Sequence, residues 1–359
     1  GQSDDVQRSR GFYVVAGKAL ERNNEQLAEL MRETVEAVRI DEHDRIRELI
    51  SQRRARREQS ETGSGHTLAK SAATSGMCTV AALGHRFNGL EGIRILKQID
   101  DANKSGDIAE LVEKFSDIHQ SIVGAPRQFM IIGEEEKLDD LVDGFEKQWT
   151  VDQKAASFQA FSTARVDEAV RQMWVTNTQV NFCARAYKTV PMDHPDAAPL
   201  SVLGGFLRNG YLHTAIREQG GAYGGGAGHD TNIAAFRFFS YRDPRLVETL
   251  DDFDRAIEWM LGKDHEWRLV EEAILGVISS IDKPGSPAGE ARQAFHNRLH
   301  GRTLDKLQAF RQNVLAVRLD DLKRVTETYL QTDRASTAVI TNAATLEQKG
   351  DLGLDVIHL

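Results

Sequence analysis

A chain of 359 residues and 40.0 kDa exceeds one ordinary domain and suits two of about 150–200 residues, each able to bury a core. With 45 Lys and Arg against 54 Asp and Glu, the net charge of −9 and pI near 5.7 argue against a nucleic-acid coat, which needs a basic surface to displace counterions. Hydrophobic content of 40% with 28% charged residues describes a globular chain without the run of roughly 18–20 apolar residues that spans a bilayer. Neither nucleic acid nor membrane is expected as a partner.

Two cysteines, Cys78 and Cys183, exclude a disulfide framework and a four-thiolate zinc site and read as buried thiols. So few cysteines fit a reducing interior, which favours a soluble cytoplasmic or organelle-matrix protein. The polar opening GQSDDVQRSR, beginning with Gly, has no signal-peptide core and reads as a fragment or processed chain.

In chain order, residues 11–20 (GFYVVAGKAL) have the β-branched and aromatic content of a buried strand. Leu27, Leu30, Met31, Val35 and Val38 then recur at helical spacing. A second helix carrying Ile46, Leu49 and Ile50 follows, so residues 21–60 read as a helical hairpin. The arginines 53, 54, 56 and 57 at its end suit a helix C-terminus and read as a solvated face. Residues 60–76, rich in Ser, Thr and Gly, read as a loop with a short turn at Leu68, and helices are expected over 78–99 and 106–122. A strand at 126–133 (PRQFMIIG) leads into a helix containing Leu138, Leu141, Val142 and Phe145.

The second half predicts strands at 179–190, 233–241 and 334–342. Helices are expected at 199–218, 244–261, 266–281 and 303–330. The return of a short apolar strand and polar turn late in the chain suggests duplication, with a boundary near 148–165. The class is α+β: two related domains, 1–155 and 156–359, each a mainly antiparallel sheet covered by long helices.

The glycine-rich residues 220–228 (GGAYGGGAG) first suggest phosphate binding, but a Walker loop needs a strand before it and a Gly-Lys-Ser/Thr ending, and both are missing. A nucleotide-binding module is therefore a poor alternative. The segment reads better as the end of a helix bearing Arg217, terminated by Gly220 in a left-handed cap, with Tyr223 entering the next strand. A guanidinium and a phenol so placed can converge on one carbonyl oxygen, as an oxyanion stabiliser requires. The bland reading is a dipole-favoured Arg beside a strand-forming Tyr. His213, one turn before Arg217, could line the same cleft or be a partly buried polar residue.

Eleven histidines include neither H-E-x-x-H nor H-x-x-E-H. His296 and His300 share a helix face with no carboxylate between them, and His43 among Asp41, Glu42 and Asp44 reads as a solvated junction. No metal site is expected in this chain.

Residues 211–228 (YLHTAIREQGGAYGGGAG), 236–253 (FRFFSYRDPRLVETLDDF) and 283–301 (KPGSPAGEARQAFHNRLHG) resemble, in order and spacing, the C-terminal half of presequence proteases, a branch of the pitrilysin/insulinase family of zinc metallopeptidases. GKALERN at 17–23 and SGHTLAKSAA at 64–73 resemble that family's third domain and its helical hairpin. The R-E-x-G-G-A-Y-G-G-G string is the most specific element. The resemblance implies an insulinase/processing-peptidase-like fold comprising domains three and four of an enzyme that degrades unstructured peptides in a closed chamber. It implies an N-terminal half, in the same chain or a partner subunit, that holds the zinc in an inverted H-x-x-E-H motif, so this chain alone would be inactive. It maps the family's substrate-carbonyl pair onto Arg217 and Tyr223. The alternative within the same fold is a non-catalytic chamber or core subunit acting through protein–protein contacts.

Overall fold

The computed structural model describes residues 1–104, 106, 108–149, 162–262 and 264–359, the side chains of 61 and 62 apart. Among the described residues six strands form one sheet: β1 (Arg171–Val175), β2 (Phe182–Lys188), β3 (Gly224–Asp230), β4 (Ala235–Tyr241), β5 (Ser336–Thr341) and β6 (Asp355–His358). Their order is β3-β4-β2-β5-β1-β6. The pairings β3·β4, β4·β2 and β2·β5 are antiparallel, whereas β5·β1 and β1·β6 are parallel. The mainly antiparallel sheet covered by helices is the α+β class expected.

Alternation along β2 explains the two packed faces. Cys183 and Tyr187 point into a large core built with the helices Ala197–Leu207, Val247–Gly262, Trp267–Ile281, Leu304–Ala316 and Leu319–Tyr329. Phe182, Ala184 and Ala186 point the other way, onto the helix Gly65–Thr74. Small residues face small residues there, Ala69, Ala72 and Ala73 against Ala184, Ala186 and Ala338, so the helix lies close to the sheet. The half-buried strand expected over 179–190 is thus buried on both faces, and Arg185 is accommodated by an ion pair with Asp254.

Several expectations are corrected. Residues 60–76 form not a loop but the end of the helix His43–Gly63 and the helix Gly65–Thr74, because Leu68, Ala69, Ala72 and Ala73 supply a buried stripe that overrides weak Ser, Thr and Gly propensities. The helix expected over 303–330 breaks at Val317 and Arg318, where Asp321 accepts from the Arg318 N–H at 2.9 Å and starts a new helix. The helix expected over 78–99 breaks at Gly89. Residues 11–20 and 126–133 form no strand. Most of their apolar side chains, among them Tyr13, Val14, Phe129 and Ile132, are exposed, and β propensity has little effect without a ladder partner. The first-half sheet is accordingly absent among the described residues, whose strands all lie in 171–358. The boundary expected near 148–165 falls mostly outside the described residues.

The arginine run is also less solvated than expected. Arg54 pairs with Glu58, Asp100 and Asp101 at 2.7–2.9 Å, tying the hairpin's second helix to the helix Leu90–Asn103. Both cysteines are buried and free.

The packing of the sheet can be tested at two positions. Gly204 meets β3 backbone to backbone: a Cβ there would lie 2.6 Å from the Gly228 Cα and 3.1 Å from the Ala227 carbonyl oxygen. Gly204→Ala gains ~1 kcal/mol of helix propensity, but neither backbone can yield, and overpacking of this kind costs ~1–3 kcal/mol. A lower urea midpoint is expected; an unchanged or raised midpoint would show that this contact is slack.

His85, 6% exposed and edge-on to Trp174 of β1 at 5.8 Å, is held by burial at a pKa of about 4. The unfolded chain takes up that proton nearer pH 6.5, so His85 stabilises fully above 6.5 and loses its contribution as pH falls toward 4. His229, also pushed down to about 4 by burial, adds to the same slope. Melting temperature should fall between pH 6.5 and 4.5, and less steeply in His85→Gln; an identical slope in the variant would contradict the assignment.

Candidate functional site

The residues expected to carry chemistry meet where a helix hands the chain to the edge strand. After the helix Ala197–Leu207 the chain continues as a π-helix, Arg208–Gln219, whose looser winding is uncommon and often marks functional sites. The turn that ends it departs from expectation by one residue. Gly220 has φ −81°, and Gly221, at φ +77°, takes the left-handed conformation that only glycine adopts without strain. The Gly221 N–H donates to the Arg217 carbonyl and the Ala222 N–H to the Ile216 carbonyl, each at 3.1 Å, so the backbone that carries Arg217 is pinned by the turn itself.

Gly220 is needed for another reason: the Arg245 guanidinium occupies the space a Cβ would fill. That guanidinium donates to the Ala215 carbonyl at 3.2 Å and to Asp252 at 2.9 Å, placing a cation where the helix dipole is negative. Arg245 is fixed in turn by the buried Asp243, which accepts from the Arg245 N–H at 3.0 Å and from the Thr249 hydroxyl at 2.7 Å. Burial raises the Asp243 pKa, and these hydrogen bonds oppose the rise.

The glycine segment is itself the edge strand β3, paired with β4 from Gly224↔Tyr241 to Asp230↔Ala235. Tyr223 was expected to enter the next strand, and that strand is β3. Gly225 faces Ile216 of the π-helix at 2.9 Å from its missing Cβ, which explains one glycine by close packing. No phosphate cradle with a lysine is present in the segment.

Tyr223 sits immediately before β3, its N–H donating to the Arg242 carbonyl at 3.3 Å. Its side chain is 67% exposed. The Arg217 guanidinium stands over that ring, 6.0 Å from the centroid, and has no carboxylate partner among the described residues. The two expected donors are thus side by side at the surface, with neither consumed by the fold. A peptide carbonyl oxygen approaching this corner can meet a fixed positive charge and a phenolic O–H together.

His213, expected to line the same cleft, lies on the same π-helix as Arg217; it is exposed and stands 3.3 Å from Glu218. His296 lies in the last turn of the helix Pro287–Leu299, and His300 caps it, edge-on to Phe12 at 6.0 Å. Among the described residues no group of three or more His, Cys, Asp or Glu could hold a metal ion, at this pair or around His43.

Sequence reasoning missed two neighbours of the site. Tyr241 presents its ring perpendicular to Tyr223 at 5.4 Å, and His66 of the helix Gly65–Thr74 lies against Tyr241 at 4.7 Å. Burial, and then the charge of Lys70, keep His66 below the usual imidazole range, so it packs as a neutral ring. The alternation Phe239, Tyr241 on one strand face was the available signal for Tyr241; His66 had none, because its helix was read as a loop.

Known proteins provide an independent comparison. Residues 1–99 match the family of domains described as associated with M16 peptidases of subfamily C, and residues 171–345 match the PreP C-terminal domain. The mitochondrial presequence proteases of Yarrowia lipolytica and Schizosaccharomyces pombe are each 28% identical over 89% and 94% of this chain, and 32% and 34% of their own lengths. The mouse presequence protease is 38% identical over 42% of this chain and 14% of its own length. The chain therefore spans about a third of the first two relatives. In fold it is similar to pitrilysin, with a TM-score of 0.62 at 13% identity over 94% of this chain and 36% of that one. It is also similar to the peptidase M16 inactive domain of Pseudomonas fluorescens, with a TM-score of 0.61 at 14% identity over 90% and 76%. The chain belongs to the presequence-protease branch of the pitrilysin family of peptidases and corresponds to its C-terminal part.

Proposed function

We propose that this chain is the C-terminal half of a zinc metalloendopeptidase that degrades unstructured peptides inside a closed chamber, and that it supplies chamber wall and the donors Arg217 and Tyr223. The observation that carries the reading is the exposed pair itself: a guanidinium 6.0 Å from a phenol ring that is 67% exposed. Both are the donor types that stabilise negative charge growing on a carbonyl oxygen. Tyr223 donates its O–H to that oxygen, and Arg217 holds the same oxygen or the neighbouring substrate carbonyl. The interaction strengthens as charge develops, so it raises kcat more than it lowers KM.

Zinc, with the activated water it provides, belongs in this reading to the N-terminal half, joined in one polypeptide or supplied as a partner subunit. The isolated chain then has no peptidase activity. Two relatives are named as mitochondrial proteins, and among the described residues no helix is long and apolar enough to cross a membrane. The names of those relatives favour an organelle matrix for the whole enzyme. A non-catalytic chamber subunit would use the same fold without needing the pair.

In the complete enzyme, Arg217→Ala and Tyr223→Phe should each lower kcat for an unstructured peptide by roughly 10²–10³, as other lost oxyanion donors do. Melting temperature should not change, because both side chains are exposed. Full activity in both variants would favour the chamber-subunit reading. Elemental analysis of the purified chain should find no stoichiometric zinc; one tightly held ion per chain would overturn the assignment of the metal to the other half.

A further inference from the structure

A phenol that is 67% exposed has several side-chain rotamers open to it, whereas a transition-state donor must be held closely: a 1 Å misplacement can cost on the order of 10²-fold in rate. Arg217 stands over one face of the Tyr223 ring and does not by itself fix the direction of the O–H. The remaining aromatic contact of Tyr223 is Tyr241, whose ring meets it at 88° and 5.4 Å, the edge-to-face arrangement that aromatic quadrupoles favour.

Tyr241 is well placed to resist movement. It ends β4 directly opposite Gly224, where the partner strand offers no side chain to displace it. Behind it stand His66 at 4.7 Å and Phe182 at 5.9 Å, and the Arg242 guanidinium lies 5.5 Å from its ring centre. Its hydroxyl reaches toward the Gly63 carbonyl at 3.5 Å, the last residue of the helix His43–Gly63. Phe182 belongs to the buried core, so this chain of contacts runs from the packed interior to the exposed phenol.

We infer that Tyr241 is a positioning residue for Tyr223, holding its O–H toward the substrate carbonyl, and that His66 at the hairpin junction backs it. The inference rests on the proposed role of Tyr223. Tyr241 touches no substrate; it acts through the ring it contacts, and it makes the first-half hairpin part of the scaffold of the second-half site.

The test uses the complete enzyme and an unstructured peptide. Tyr241→Leu should lower kcat by roughly 3- to 10-fold, the worth of one edge-to-face pair, with KM changed less than about twofold. Tyr241→Phe, which keeps the ring, should restore most of the rate. In the Tyr223→Phe background Tyr241→Leu should add no further loss, since there is no O–H left to aim. An undiminished kcat in Tyr241→Leu, or an equal loss in both backgrounds, would overturn the inference. Tyr241→Thr retains strand propensity and gives the same readout should the leucine variant fold poorly.

A second measurement is independent of activity. In the chain labelled with 3-fluorotyrosine, the fluorine resonance of Tyr223, assigned by its loss in Tyr223→Phe, should move in Tyr241→Leu and stay in place in Tyr241→Phe. A resonance unmoved in Tyr241→Leu would overturn the positioning role. If instead Tyr223→Phe alone keeps full activity while the resonance moves as expected, the proposed function fails and the ring contact stands.

Discussion

The antiparallel ladder between β3 and β4 is the constraint on which the rest depends. It sets Gly224 opposite Tyr241 and brings the Tyr223 N–H to the Arg242 carbonyl, so the register of two strands decides where the phenol stands. One residue of slip would turn every side chain to the other face. Two devices hold the register at this end. Gly221 supplies the left-handed turn that brings Arg217 to the strand, and the buried Asp243 fixes the opposite connection. Asn181 completes that knot, exchanging backbone hydrogen bonds of 2.8 and 2.9 Å with Asp243 and accepting from Thr341 of β5 at 2.7 Å.

The sheet also joins the two parts of the chain. The helix Gly65–Thr74, from within the segment that matches the peptidase-associated family, covers the face of the sheet opposite the large helical core. Its alanines permit close approach, and its His66 reaches the strand end beside the site. The second-half site therefore rests on a first-half helix. A substitution that lifts that helix off the sheet disturbs the phenol without touching it.

The sequence revealed β2, β4 and β5 because each carries β-branched or aromatic residues, and the buried second-half helices because their apolar positions recur at helical spacing. It offered a strand entry at Tyr223 but not the extent of β3, since a run of glycines has neither propensity nor pattern; the strand exists because β4 supplies a ladder and the π-helix a close neighbour. Five-residue β1 and four-residue β6 are too short to show a period. The strands read at 11–20 and 126–133 had composition without a partner. For the site, Arg217 and Tyr223 were legible as a helix end followed by a strand start. His213 was read on a 3.6-residue period, and the chain there winds as a π-helix in which it pairs with Glu218. Tyr241 and His66 meet through tertiary packing, which no spacing along the chain encodes.

Arg217 and Tyr223, as donors, should bind a developing oxyanion better than a resting carbonyl. The most direct test is inhibition of the complete enzyme by a phosphinic peptide, whose tetrahedral oxygens imitate the transition state, compared with binding of the matching unreactive peptide. Tyr223→Phe should weaken the phosphinic peptide by about the factor lost in kcat/KM and leave the ground-state peptide nearly as tightly bound. Equal losses for both ligands, or no loss for either, would contradict the assignment.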